Sequence, residues 1–413
     1  MEFIPRKTYT QIKKHLAQPE ISLILGPRQA GKTTIMEKLA EELKNSKQTS
    51  LFFNLDIIED RQFFQTQHTL LDRIEKGIGK KPAVVFIDEI SRLENAGLFL
   101  KGLYDLKTQY KFIVSGSGSL ELKANILEPL TGRKKIFYCF PLSFTEFTAY
   151  KLKVDLKDTT KALDLNPHQC QRLVEEYLTY GGYPRVALAQ THQEKTDILS
   201  EIFLSYLEKD IRLLLKVEKE RAFENLVRVL ASQVGNLVNR VELSSTLGIN
   251  EKTLKKYLYF LGKTFVVNLV NPFFRNARKE LTKSPKIYFC DLGLLRLAQG
   301  RLSLTRTESS GSLFENACFL RLKELGLLKP PQFWRTKSGA EVDFIIFSPK
   351  TGKPIPVEIK LSPGKKPALG KSLISFLKEY QPEKAFIYTK ETKLTLKKLG
   401  TKVEFVPYHH LVF

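Results

Sequence analysis

Apolar and polar positions alternate along this chain with two different periods, and the changes between them mark its elements. Ile21 to Leu25 is a short run that is apolar apart from Ser22, as expected for a strand buried on both faces of a parallel sheet. A short glycine-containing loop follows it, and then a helical pattern begins in KTTIMEKLAEEL. AVVFIDEI (83–90) and KFIVSGSGSL (111–120) repeat the buried-strand signature, each closing on polar residues. Further on, NEKTLKKYLYFLGKT places Leu254, Tyr257, Leu258 and Leu261 at i, i+3, i+4 and i+7, which is one apolar stripe of a helix. Asn250 is placed to cap it. Toward the end, GSLFENACFLRLKELG reads as a helix. EVDFIIF and PIPVEI read as two strands joined by a turn containing Pro349, Gly352 and Pro354.

The loop after the first strand carries the most specific chemistry. Gly26-Pro27-Arg28-Gln29-Ala30-Gly31-Lys32-Thr33-Thr34 fits G-x4-G-K-[ST] between a strand and a helix, the context in which backbone N–H groups wrap phosphates. Lys32 is expected to reach the β- and γ-phosphates of ATP, and the Thr33 hydroxyl to bind Mg²⁺. The AVVFIDEI strand ends in Asp88, expected in the Mg²⁺ shell, and Glu89, expected to polarise the attacking water. Ser115 closes the third strand, where it would orient that water. Arg133 falls on a turn, from which it would reach a neighbouring subunit's nucleotide. Arg185 follows a Gly-Gly-x-Pro turn and would sense nucleotide from a helical lid.

GPRQAGKTT, FIDEI, VSGSGS, LTGR, PLSFTEF and GGYPR, in this order, resemble the AAA+-type prokaryotic ATPases that end in a domain of unknown function. The resemblance covers essentially the whole chain. It implies an α/β architecture: a P-loop ATPase core over 1–140, a helical lid over 141–215, a winged helix over 216–280 and a restriction-endonuclease-like domain over 281–413. It also implies a homo-oligomer, with a hexameric ring as one form.

Two further groups of residues bear on what such an ATPase works upon. The face of the 250–264 helix opposite its apolar stripe offers Lys252, Lys255, Lys256 and Tyr259. With no arginine, asparagine or glutamine at its centre, this face suits DNA phosphates better than base edges. Near the C-terminus, Glu315, Asp343, Glu358 and Lys360 are similar to the PD-(D/E)xK nuclease constellation. In that chemistry the three carboxylates hold Mg²⁺ and the lysine positions the nucleophile. A hairpin would bring Asp343 beside Glu358, with Glu341 on the same strand face as an extra ligand or structural partner.

Charge agrees with a polyanionic partner. The 413 residues carry 66 Lys plus Arg against 44 Asp plus Glu, a net of +22, and the second half holds most of it: +17 over 201–413 against +5 over 1–200. The four cysteines form no CxxC pair and support neither a disulfide framework nor a zinc site. With no apolar run long enough for a membrane and no signal-peptide core, a cytoplasmic protein is expected. The function expected is ATP hydrolysis coupled to work on DNA. The rivals are an ATP-gated Mg²⁺-dependent nuclease and a nucleotide-dependent switch that docks a protein partner.

Overall fold

The computed structural model describes residues 3–117, 128–206, 220–274, 284–302, 311–362, 364 and 368–412. Five parallel strands form the first sheet: β1 (Ile21–Gly26), β2 (Ser50–Asn54), β3 (Ala83–Asp88), β4 (Tyr110–Ser117) and β5 (Lys134–Tyr138), in the order β2-β3-β4-β1-β5. Because helices cover both faces, β1 is buried along its whole length. Leu23 and Leu25 enter one apolar layer and Ile24 the other, the two-residue period of a strand. The flanking helices are α1 (Lys7–Lys14), α2 (Lys32–Asn45), α3 (Ile58–Arg61), α4 (Gln67–Ile78) and α5 (Ala96–Asp105). Placing β4 between β1 and β3 sets Ser115 between the glycine loop and the acidic pair.

A helical region follows: α6 (Phe144–Leu152), α7 (Thr159–Leu165), α8 (Pro167–Tyr180), α9 (Pro184–Leu188) and α10 (His192–Ser205). Next come α11 (Glu220–Ser232), α12 (Arg240–Leu247) and α13 (Glu251–Lys263), then an antiparallel ribbon of β6 (Val267–Val270) and β7 (Lys286–Phe289). The Asn250 side chain accepts the Thr253 N–H at 2.8 Å and caps α13, whose apolar stripe is buried. After α14 (Leu292–Ala298) and α15 (Gly311–Lys323), a mixed six-stranded sheet closes the chain. Its elements are β8 (Gln332–Arg335), β9 (Glu341–Phe347), β10 (Pro354–Ile359), α16 (Lys371–Tyr380), β11 (Lys384–Thr389), β12 (Leu394–Lys398) and β13 (Thr401–Pro407).

The 215/216 and 280/281 boundaries expected from sequence lie outside the described residues, but β6 and β7 pair across the second. One apolar core runs from α6 through the α11–α13 helices into the C-terminal sheet. The PLSFTEF segment is part of this junction. Ser143 and Glu146 make a capping box for α6, and the Glu324 carboxylate accepts from Phe144 N and from Thr145 Oγ1. Arg321, 1% exposed, pairs with Glu324 at 2.7 Å. Among the described residues no helix is long and apolar enough to cross a membrane.

Candidate functional site

The glycine loop turns tightly at the end of β1. A Cβ at Gly26 would lie 2.0 Å from the Cys139 carbonyl oxygen, so only glycine fits there. Gly31, at the start of α2, sits at φ 95°, a conformation natural to glycine. Lys32 is buried and donates to the Gly26 and Pro27 carbonyls at 3.1 and 2.9 Å. Ala30 is buried beneath the loop, whereas Arg28, Gln29 and Thr34 are half-exposed around it.

Four more residues converge on the loop. Thr33 Oγ1 donates to Asp88 Oδ2 at 2.7 Å, and the Ser115 hydroxyl donates to the other oxygen of Asp88. The Glu89 N–H lies 3.1 Å from Ser115 Oγ and 3.2 Å from Asp88 Oδ1. Glu89 itself stands at φ 54°, the left-handed region that a non-glycine side chain rarely occupies. Its Oε2 accepts from Ser91 Oγ at 3.1 Å. A hydroxyl and a carboxylate this close form the hard oxygen set that Mg²⁺ takes beside phosphates, so Thr33 and Asp88 fit that ion.

Arg185 joins this group and Arg133 does not. Arg185 Nη1 donates to Gln29 Oε1 at 2.9 Å and to Glu201 at 2.8 Å, tying α9 to the loop. Arg133 precedes β5 at the amino end of the sheet, where its carbonyl accepts from Ile21 N, and its guanidinium is held by Asp105 at 2.7 Å. The loop is at the carboxyl end of the same strands, so Arg133 does not face this chain's own nucleotide site.

Sequence reasoning passes over Arg6, which is 5% exposed. It donates to the Ala30 carbonyl at 3.0 Å and to the Phe140 carbonyl, and its Nε lies 3.2 Å from Glu146. Asp291 escapes it too. Its carboxylate accepts from Gly182 N at 2.7 Å and Leu294 N at 3.0 Å, and a Cβ on Gly181 would collide with it at 2.4 Å. Complete burial pushes the Asp291 carboxyl up to about 6, against the lowering effect of those N–H donors. The Gly-Gly turn ahead of Arg185 is therefore shaped by a residue more than a hundred positions later.

In the C-terminal sheet, β9 and β10 pair antiparallel, and Ile359 N donates to Asp343 Oδ2 at 2.7 Å. Asp343 lies at a bulge: Gln332 and Trp334 of β8 oppose Ile345 and Val342, three residues of β9 spanning the length of two. Burial, then the neighbouring Glu315, push the Asp343 carboxyl up to about 7. Burial also raises Glu358, whose Oε2 has no hydrogen-bond partner among the described residues. Lys360 lies 3.8 Å from Glu358 and donates to the Ala368 carbonyl at 2.7 Å.

Two residues of β7 complete the cluster, and no local signal in the sequence singles either of them out. Lys286, 2% exposed, places Nζ 2.6 Å from Glu341 and 3.4 Å from Glu315, and Tyr288 OH donates to Glu315 at 2.5 Å. Burial lowers the affinity of Lys286 for its proton, but Glu315, Asp343 and Glu341 outweigh it and leave the group raised. The structure thus joins Asp343 to Glu358 through the hairpin and engages Glu315 with Lys286 and Tyr288. Asp343 also faces Glu315 and Glu358, so the three carboxylates expected from sequence come together, with Lys286 among them.

On α13, Lys252, Lys255 and Lys256 are all exposed and the Tyr259 ring is half-exposed beside them. Lys255 lies 4.0 Å from Glu251, one turn earlier.

The sheet order and the glycine loop form a parallel α/β core of P-loop type, and residues 18–148 match the family described as AAA domain. Residues 171–305 and 310–411 match two families described as Domain of unknown function (DUF8612) and Domain of unknown function (DUF4143). An uncharacterized protein of Mycobacterium tuberculosis is 26% identical over 95% of this chain and 81% of its own length. An uncharacterized protein of Haemophilus influenzae is 27% identical, over 74% of this chain and 75% of its own. Among solved structures, Cdc6p of Pyrobaculum aerophilum overlaps 73% of this chain and 96% of its own at 13% identity and a TM-score of 0.30. AMPPCP-bound DnaA of Aquifex aeolicus overlaps 63% and 90% at 14% identity and 0.27.

Proposed function

We propose that this protein hydrolyses ATP and couples the hydrolysis to work on DNA, as a homo-oligomer. The observation that carries the ATPase reading is the convergence of Lys32, Thr33, Asp88, Glu89 and Ser115 at the carboxyl end of β1, β3 and β4. Thr33 and Asp88 would hold Mg²⁺, which would neutralise phosphate charge. Lys32 exchanges its two carbonyl partners for phosphate oxygens. Glu89, its backbone pinned by Ser115 and Asp88, orients a water and takes its proton. Arg133, at the amino end of the sheet, is offered to the nucleotide of an adjacent subunit, which is why the reading includes an oligomer. Arg185 reports the nucleotide state to the lid through Gln29.

The exposed lysines of α13 and the positive second half support DNA as the partner, through phosphate contacts. The C-terminal sheet holds DNA in this reading without cutting it freely, since Glu315 and Glu341 already share the charge of Lys286. ATP hydrolysis measured with no DNA and with single-stranded, duplex and branched DNA tests the proposal. Stimulation by DNA, together with salt-dependent binding, is expected. A rate indifferent to all three, with no binding, would leave the protein-docking switch. Mg²⁺-dependent nicking by the wild type, lost in Asp343→Ala with ATPase intact, would establish the gated nuclease instead.

A further inference from the structure

The last residues of the chain come back to the helical region and build a small cluster there. His409 and His410 follow β13, and each places its Nε2 2.8 Å from the same oxygen, Oδ1 of Asp164 on α7. Among the described residues, these three form the group whose metal-ligating atoms all fall within 4.8 Å of one another. The two imidazole rings lie 4.5 Å apart and 69° from coplanar, so their nitrogens approach the oxygen from different directions.

The backbone presenting the histidines is held in place from inside the protein. The buried Arg321 guanidinium donates to the Tyr408 and His409 carbonyls, each at 3.1 Å, and Tyr388 OH donates to the His410 carbonyl at 3.4 Å. The His410 N–H closes the turn onto the Pro407 carbonyl at 2.9 Å. Only 13% and 19% of the two histidine side chains is exposed, against 46% for Asp164. Two imidazoles are thus aimed at one point by a fixed turn, while the carboxylate remains open to solvent.

We propose that Asp164, His409 and His410 bind a zinc-class divalent transition ion that fastens the C-terminal segment to α7. Two imidazole nitrogens and one carboxylate oxygen are the donors such ions select, whereas Mg²⁺ and Ca²⁺ take oxygen sets. A tetrahedral ion about 2.0–2.1 Å from each donor holds neighbouring donors about 3.3 Å apart, so each of the two nitrogen–oxygen spacings of 2.8 Å needs to open by only about 0.5 Å. The fourth position falls to water. A cavity of about 370 Å³ beside the cluster, lined by Asp164, His168, Glu391 and His409 among others, gives that water and the ion a way in. The donors lie 245 and 246 residues apart in sequence, so the ion ties the helical region to the end of the last sheet.

The test uses the full chain, stripped of metal with a chelator, dialysed, and titrated with Zn²⁺ against a chromophoric competitor. One tight equivalent per chain is expected, together with a Zn²⁺-dependent rise in melting temperature. His409→Gln and His410→Gln should each weaken binding by more than the roughly 10–100-fold that loss of an outer-sphere partner costs. Asp164→Asn should abolish the thermal shift, and His168→Gln should change neither measurement. ATP hydrolysis at the wild-type rate in zinc-free buffer reports that each variant is folded. Co²⁺ in place of Zn²⁺ should give the visible absorption of a four-coordinate site in the wild type only. Absence of a tight equivalent in the wild type, or binding unchanged in both histidine variants, would overturn the proposal.

Discussion

Lys286 stands between Glu341 and Glu315, 2.6 Å from the first and 3.4 Å from the second, and almost none of it reaches solvent. The carboxylate cluster of the C-terminal sheet therefore has its counter-ion built into a strand of another part of the chain. Lys286→Met leaves the half-buried Glu315 without its ammonium and Glu341 with only Arg335, 3.3 Å away, a loss that approaches the about 3–5 kcal/mol of breaking a buried pair from one side. Urea denaturation should show that loss, and Lys286→Met combined with Glu341→Gln should recover part of it. Equal stability of Lys286→Met and wild type would mean that the ammonium is not compensating the cluster.

Asp343 gives the cluster a pH dependence. Its carboxyl is raised from 3.8 to about 7 in the folded chain, so the folded protein holds that proton more tightly than the unfolded one. The linkage then has a definite sign: the contribution to stability is full below the ordinary carboxyl value and is lost as pH rises toward about 7. Asp291 adds a contribution of the same sign up to about 6. Melting temperature between about pH 5 and 8 should fall more steeply for wild type than for Asp343→Asn, which has no such proton to lose. Parallel curves would refute this.

At the glycine loop, Lys32→Ala should abolish hydrolysis, because in the proposed reaction the same side chain binds phosphate and stabilises the charge that develops on it. Glu89→Gln should bind ATP with near wild-type affinity and turn it over far more slowly. Single-turnover kinetics alongside equilibrium binding of a fluorescent ATP analogue distinguishes the two. A Glu89→Gln variant hydrolysing at the wild-type rate would remove Glu89 from the reaction.

Reversing Lys252, Lys255 and Lys256 to glutamate should weaken duplex binding and flatten its dependence on salt. Every phosphate that the helix no longer neutralises reduces the log–log slope by about 0.9. An unaltered slope would move the DNA surface away from α13.

Much of this architecture could be read along the chain because the responsible signals are local. The glycine loop, the strands carrying Asp88 and Ser115, the Asn250 cap and the β9–β10 turn each depend on residues a few positions apart. The unread parts depend on contacts across the fold. Arg6 stands before the first helix with nothing nearby to show that it grips the Ala30 carbonyl. Lys286 looks like any lysine at the start of a short strand until β7 is set against α15 and β9. The bulge at Asp343 leaves no mark in EVDFIIF, and the position of Arg133 at the amino end of the sheet requires the strand directions.

Strand β7 is four residues long, so its ends are only about 13 Å apart. Just past one end, Asp291 clasps the turn that carries Pro184 and Arg185 onto the glycine loop; at the other, Lys286 is locked among carboxylates. A strut this short, anchored at both ends, leaves little slack to absorb a displacement of either. If the turn shifts when the γ-phosphate departs, Lys286 must move within its cluster or Asp291 must release the turn. The two halves of the chain then share one equilibrium. Any ligand of the C-terminal sheet that prefers one position of the strut must alter nucleotide affinity by the same factor by which nucleotide alters its own.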